Sequence, residues 1–249
     1  MDGSKLPGAT VLVTGSTGGL GREFVRQARA RGATKVYAAA RRDVDWDDPR
    51  IVPLRLDVAD PDAIAAAAVA ANDVDVLVNN AGGGGDPSLL TTDLADIRAT
   101  FETNVFGPLT LVRAFAPVLA ARGGGAIVDV HSVLSWLSQP GSYAASKTAL
   151  WGLTNALRIE LAAQSTRVVG AHFAYVDTPM TAGLDVPKSS ARDIVGVVLD
   201  GLEAGATEIL ADDLTAQMHA MLPTISSGAF AETAPYTGAT AHDSEGGER

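Results

Sequence analysis

Short runs of β-branched and apolar residues alternate with stretches of helical composition from residue 10 to residue 211, and few folds accommodate that rhythm. The runs fall at 10–14, 35–40, 51–56, 75–79, 125–131, 167–173 and 207–211, with helical stretches at 20–31, 61–72, 92–121, 142–164, 190–204 and 212–221. Strands joined by helices pair in parallel, and strands covered on both faces read as continuous apolar runs rather than alternating ones. The expected architecture is α/β: a single-domain, doubly wound, Rossmann-like parallel sheet of about seven strands flanked by helices. One connection breaks the rhythm. Residues 42–50, rich in Asp and containing Pro49, leave no room for a crossover helix, so an irregular link is expected there.

Ligands of such sheets bind at the carboxyl ends of the strands. At that edge the first run enters Gly15, Ser16, Thr17, Gly18, Gly19, Leu20 and Gly21, after which residues 22–31 have helical composition. Glycines let a backbone turn tightly and approach a pyrophosphate, and a helix N-terminus offers free N–H groups and partial positive charge. A lone glycine triplet is equally an ordinary turn; its place between strand and helix favours a phosphate site. Far downstream, Tyr143 and Lys147 stand four residues apart, a spacing that shares one helix face. An ammonium beside a phenol favours phenolate, so this tyrosine is expected to exchange a proton near neutrality.

At 249 residues, 47% apolar and 19% charged, the chain is globular. Residues 1–222 are expected to form the domain. Residues 223–249, small, polar or charged without a period, read as a flexible C-terminal extension. No apolar run approaches the ~20 residues of a membrane span, and no basic-then-apolar leader opens the chain. Zero cysteines exclude disulfides and fit a cytoplasmic protein, and four scattered histidines give no metal cluster, so no metal is expected. A net charge of −10 argues against nucleic acid and anionic membranes as partners.

Together these residues resemble the short-chain dehydrogenase/reductase family, of ordinary length. Thr14-Gly15-x-x-x-Gly19-x-Gly21 is similar to its nucleotide turn and Asn79-Asn80-Ala81-Gly82 to its Asn-Asn-Ala-Gly segment. Asn104, Ser132 and the Tyr143/Lys147 pair match its active residues. The resemblance extends from about residue 8 to about residue 211.

The resemblance implies a nicotinamide dinucleotide. NAD-selective members carry a carboxylate at the end of the second strand; here Ala40 stands there and Arg41 follows, a guanidinium able to fork onto a 2′-phosphate. NADP(H) is therefore the preferred cofactor, with NAD(H) as the alternative. A surface arginine at a strand end is the plainer role for Arg41. Asp57 and Val58 resemble the adenine pocket, Asp60 being the better helix cap. Asn80, Ala81 and Gly82 would line the adenosine ribose, and Val176 and Thr178 would meet the carboxamide and phosphate. The family's Pro-Gly after the sixth strand is replaced by Phe173-Ala174, which leaves the backbone path there open.

The same resemblance implies Tyr143 as general acid and base, Lys147 as its partner and a ribose ligand, Ser132 as donor to the substrate oxygen, and Asn104 as holder of a water. Asn104 serves equally as a cap or kink of its helix. Eleven positions separate Ser132 from Tyr143, about two fewer than is usual, so a contracted loop is expected, with the phenol's place relative to Ser132 in question. Leu134, Tyr175, Met180 and Leu184 suggest an apolar substrate cleft for a small carbonyl compound or alcohol. Helices 92–121 and 142–164 carry apolar residues around much of their circumference, Leu150, Trp151, Leu153, Leu157 and Ile159 among them, which implies a homodimer or homotetramer. The rival function is a non-catalytic dinucleotide-binding sensor or scaffold that retains the fold.

Overall fold

The computed structural model describes residues 5–222 apart from Asp43; the C-terminal extension at 223–249 lies outside the described residues. Seven strands, β1 (Thr10–Thr14), β2 (Lys35–Ala40), β3 (Ile51–Arg55), β4 (Val76–Asn79), β5 (Gly125–Val130), β6 (Thr166–His172) and β7 (Glu208–Leu210), form one sheet. Every pairing is parallel and the order is β3-β2-β1-β4-β5-β6-β7. The order reverses between β1 and β4, which opens a crevice at their carboxyl ends. Among the described residues seven α-helices cover the two faces: α1 (Gly19–Ala30), α2 (Pro61–Ala70), α3 (Leu94–Phe101), α4 (Gly107–Ala121), α5 (Ser142–Glu160), α6 (Ala191–Glu203) and α7 (Asp213–Ala220).

Residues of β1, β4 and β5 are buried throughout, as their apolar runs require. Side chains alternate across the sheet and split the core in two. Val11, Val13 and Val78 pack with Phe24 of α1 and Val195 and Leu199 of α6 on one face. Leu12 and Leu77 pack with Ile64 of α2 and Leu111 and Phe115 of α4 on the other. Each fully buried side chain of this size contributes roughly 1.5–3 kcal/mol. Asp60 caps α2 by accepting from the amides of Asp62 and Ala63 at 3.0 and 3.2 Å, with Pro61 opening the helix. Among the described residues no helix joins β2 to β3, as the short link demands.

The expected single helix over 92–121 is divided. Glu102–Phe106 form a π turn between α3 and α4, with the Gly107 amide donating to the Glu102 carbonyl five residues back. Pro108 explains it: without an N–H it cannot bond the carbonyl of Asn104, and the backbone takes the wider turn. The stretch Leu94–Ala121 is also long and apolar enough to cross a membrane, contrary to the expectation that no segment would be. Part of its apolar surface packs into the protein, where Leu111, Phe115 and Leu119 are fully buried, while Leu94 and Phe106 are exposed.

Candidate active site

The glycine turn and the end of β4 are knitted together by two buried or half-buried polar side chains. Thr14 Oγ1 donates to the Val78 carbonyl at 3.2 Å and accepts from the amides of Asn80 and Ala81, both at 3.0 Å. Asn80 Nδ2 returns a bond to the Thr14 carbonyl at 2.8 Å. Gly15 has φ +64°, and a Cβ on it would stand 2.9 Å from the Ala81 Cα, so only glycine fits. A Cβ on Gly19 would stand 2.8 Å from the Thr178 methyl, which seats the loop after β6 directly against the turn. Ser16 Oγ is buried here without a hydrogen-bond partner. An orphaned hydroxyl at a helix N-terminus, beside small residues, suits an incoming phosphate acceptor.

Arg41, Asp57 and Asp60 line one cavity at the ends of β2 and β3, while Val58 is buried behind it. Asp57 also turns its carboxylate to its own backbone, accepting from the Ala59 amide at 3.0 Å.

At the other side of the crevice the proposed active residues converge. Gly141 (φ +102°) turns the chain so that α5 begins at Ser142, and the Ser142 amide donates to the Asp86 carbonyl at 3.1 Å. The loop before it closes into a 3₁₀ turn at Val133–Ser135, for which Ser132 is the cap: its Oγ accepts from the Leu134 amide at 3.2 Å. The Ser132 hydroxyl lies near enough to the Tyr143 phenol across the shortened loop to ease its ionisation.

Lys147 lies one turn along and is buried, with Nζ donating to the Val130 carbonyl at 2.8 Å. Its ammonium stands 5.7 Å from the centre of the Tyr143 ring. Burial pushes Lys147 down to about 8, opposed by the charge of Asp129. Burial also pushes the Tyr143 phenol up to about 12, with the Ser132 hydroxyl pulling the other way. The expectation that lysine would bring this phenol near neutrality is thus not met within the protein: burial is the largest influence on the phenol, and the Lys147 ammonium bonds the backbone.

Asn104, buried by the π turn, is fully engaged. Its Oδ1 accepts from the Gly83 amide at 2.9 Å, and its Nδ2 donates to the Gly83 carbonyl and to Ser146 Oγ, each at 3.0 Å. It holds the loop after β4 against α5 and brings Gly82 beside Lys147.

The segment in place of Pro-Gly follows a defined path. The Val133 amide donates to the Phe173 carbonyl at 2.9 Å, and the Ala174 amide donates to the Asp212 carboxylate at 2.7 Å. Asp212 also caps α7, a double duty that no local pattern announces. Val176 is buried and bridges Ser189. Leu134 follows β5 and Tyr175, Met180 and Leu184 follow β6, neighbouring strands, but Met180 is 57% exposed.

Behind Ser132 lies a buried polar group that sequence reasoning missed. Asp129 accepts from Asn79 Nδ2 at 2.8 Å and from Thr154 Oγ1 at 2.7 Å, and burial pushes its carboxyl up. His131 points away from Ser132, as strand alternation requires, with Nε2 3.0 Å from Thr154 Oγ1. Its ring stacks on His172 at 4.6 Å, and His172 stacks on Trp136 at 4.2 Å. Burial, with the neighbouring His172, holds His131 well below the usual histidine range. Its only signal in the sequence is polar residues inside apolar strands.

This geometry has close counterparts. A crystal structure of a short chain dehydrogenase from Burkholderia cenocepacia J2315 in complex with NADP superposes with a TM-score of 0.84 at 35% identity, covering 90% of this chain and 96% of that one. The short-chain dehydrogenase ptmH of Penicillium ochrochloron is 37% identical over 188 residues. That match covers 68% of this chain and 66% of the relative, just under two thirds of its length. The NADP-dependent 3-hydroxy acid dehydrogenase of Schizosaccharomyces pombe is 28% identical over 246 residues, covering 87% of this chain and 95% of that protein. The family model described as short chain dehydrogenase matches residues 9–188, and the chain belongs to that family.

Proposed function

We propose that this protein is an NADP(H)-dependent oxidoreductase acting between a carbonyl group and a secondary alcohol on a small, apolar substrate. The observation that carries the proposal is the convergence of Tyr143 and Ser132, whose hydroxyl acts on the phenol, with the Lys147 ammonium buried 5.7 Å from the ring centre. The coenzyme, when bound, supplies or accepts the hydride. Tyr143 holds the proton that the carbonyl oxygen takes up, and Ser132 offers that oxygen a hydrogen bond as charge develops. Lys147 places positive charge near the phenol, and Asn104 positions the loop at Gly82 and Gly83 over it. Ser16, Arg41, Asn80, Ala81, Gly82, Val176 and Thr178 would hold the coenzyme.

Two similar proteins, one crystallised in complex with NADP and one an NADP-dependent dehydrogenase, support the phosphorylated coenzyme. Arg41 supports it too, since the guanidinium makes no ion pair among the described residues. The sensor reading rested on the short loop and the missing Pro-Gly, and both are accommodated without separating Ser132 from Tyr143. A panel of apolar aldehydes and ketones, followed by loss of NADPH absorbance, tests the proposal. We expect turnover, with kcat/KM for NADPH about tenfold or more above that for NADH. Coenzyme binding with no turnover of any carbonyl compound would favour the sensor, and equal kcat/KM values would remove the argument from Arg41.

We also propose a homodimer or homotetramer built on α4 and α5. Of the apolar residues singled out on α5, Leu150 turns into the protein, Leu157 packs on the second core and Trp151 donates to Glu208 at 3.1 Å. Ile159 remains 79% exposed, and Phe106 at the head of α4 is 47% exposed. Light scattering at micromolar concentration is expected to give at least twice the chain mass. A monomer would contradict the proposal.

A further inference from the structure

Arg55 is absent from the motifs considered above, yet it emerges beside the strand end expected to choose the coenzyme. It is the last residue of β3 and is paired in register with Ala40, the last residue of β2, which Arg41 follows. Both arginines line one cavity of about 320 Å³, with Leu56, Asp57, Asp60 and Ala63 forming the rest of its wall.

The charges in that wall are unevenly committed. The Asp57 and Asp60 carboxylates accept from backbone amides of the turn and the α2 cap. The Arg41 and Arg55 side chains make no ion pair or hydrogen bond among the described residues. Arg29, Arg31, Arg50, Arg122 and Arg158 each pair with a carboxylate, and of the arginines without such a pair Arg41 and Arg55 are the two that share this cavity. In a chain of net charge −10, two guanidinium groups left open at one cavity mark a place built for an outside anion.

We propose that Arg55 is a second determinant of coenzyme choice, gripping the 2′-phosphate of NADP(H) from the β3 side while Arg41 grips it from the β2 side. This rests on the NADP(H) reading above. A dianionic phosphate has acceptors enough for two forks, and a pair of adjacent guanidiniums neutralises it better than one. Because both arginines are exposed, the grip weakens with salt, so discrimination falls as ionic strength rises.

Isothermal titration of the full chain with 2′,5′-ADP and with 5′-AMP tests this without any turnover. Wild type is expected to bind 2′,5′-ADP about tenfold or more tightly than 5′-AMP. Arg55→Gln should weaken 2′,5′-ADP roughly tenfold, leave 5′-AMP unchanged and flatten the salt dependence. Arg55→Lys should recover part of the loss, since it keeps the charge without the fork. Wild-type preference that survives Arg55→Gln within about twofold overturns the role of Arg55 while leaving NADP(H) standing. Equal weakening of both ligands overturns it too, making Arg55 a wall of the adenosine site. No wild-type preference for 2′,5′-ADP overturns the coenzyme reading itself.

Discussion

Replacing Tyr143 by Phe should cost about 10²- to 10⁴-fold in kcat while leaving the protein folded. The substitution removes one hydroxyl and no ring, so the packing at the start of α5 survives. What is lost is the hydroxyl's interaction with Ser132, and a hydrogen bond of that kind is worth about 1 kcal/mol of stability. Steady-state kinetics at saturating NADPH, with thermal unfolding as the control, measure both effects. Retention of more than about a tenth of wild-type kcat would take Tyr143 out of the chemistry, since general acid help is worth far more than that. With its phenol pushed up to about 12, Tyr143 keeps its proton throughout the neutral range and stands ready as an acid. Reduction therefore draws on the state the protein already prefers, whereas oxidation must first create phenolate in a desolvated place.

Lys147→Met should abolish turnover and stabilise the protein at pH 7. The buried ammonium is pushed from the ordinary 10.5 to about 8, so the unfolded chain holds this proton more tightly than the folded one. Stability therefore rises with pH between about 8 and 10.5, and the full cost of the charge is present below 8. At about 1.4 kcal/mol per unit, that cost is a few kcal/mol, partly offset by the bond to the Val130 carbonyl. We expect the methionine variant to be about 1–2 kcal/mol more stable in urea at pH 7, the gap closing as pH approaches 10.5. A difference that stays constant across this window would show that the lysine carries no such cost. Wild-type kcat/KM for reduction should fall as pH rises through about 8, where the ammonium is lost.

These two outcomes pull apart function and stability at one site. A lysine that contributes most when charged sits where charge is expensive, and Asp129 offsets part of the expense through its field. That carboxylate is itself held by Asn79 and Thr154, so strands β4 and β5 and helix α5 share the cost. Cationic Lys147 thus depends on three elements distant in sequence.

Features set by near neighbours were legible from the residues alone. Seven apolar runs gave seven parallel strands within a residue or two, because burial on both faces leaves a mark in every strand. The glycine turn, the cap at Asp60 and the spacing of Tyr143 and Lys147 are equally local, each needing only a few adjacent residues. Tertiary structure decided the rest. Ser132 comes near Tyr143 through a loop that folds into a 3₁₀ turn, and Asn104 is buried where the helix widens into a π turn. Arg55 stands beside Arg41 only through the pairing of β2 with β3, and the phenol's affinity for its proton is set by what covers it. Spacing along a chain specifies which groups are available, whereas desolvation and contact between distant strands depend on the folded whole.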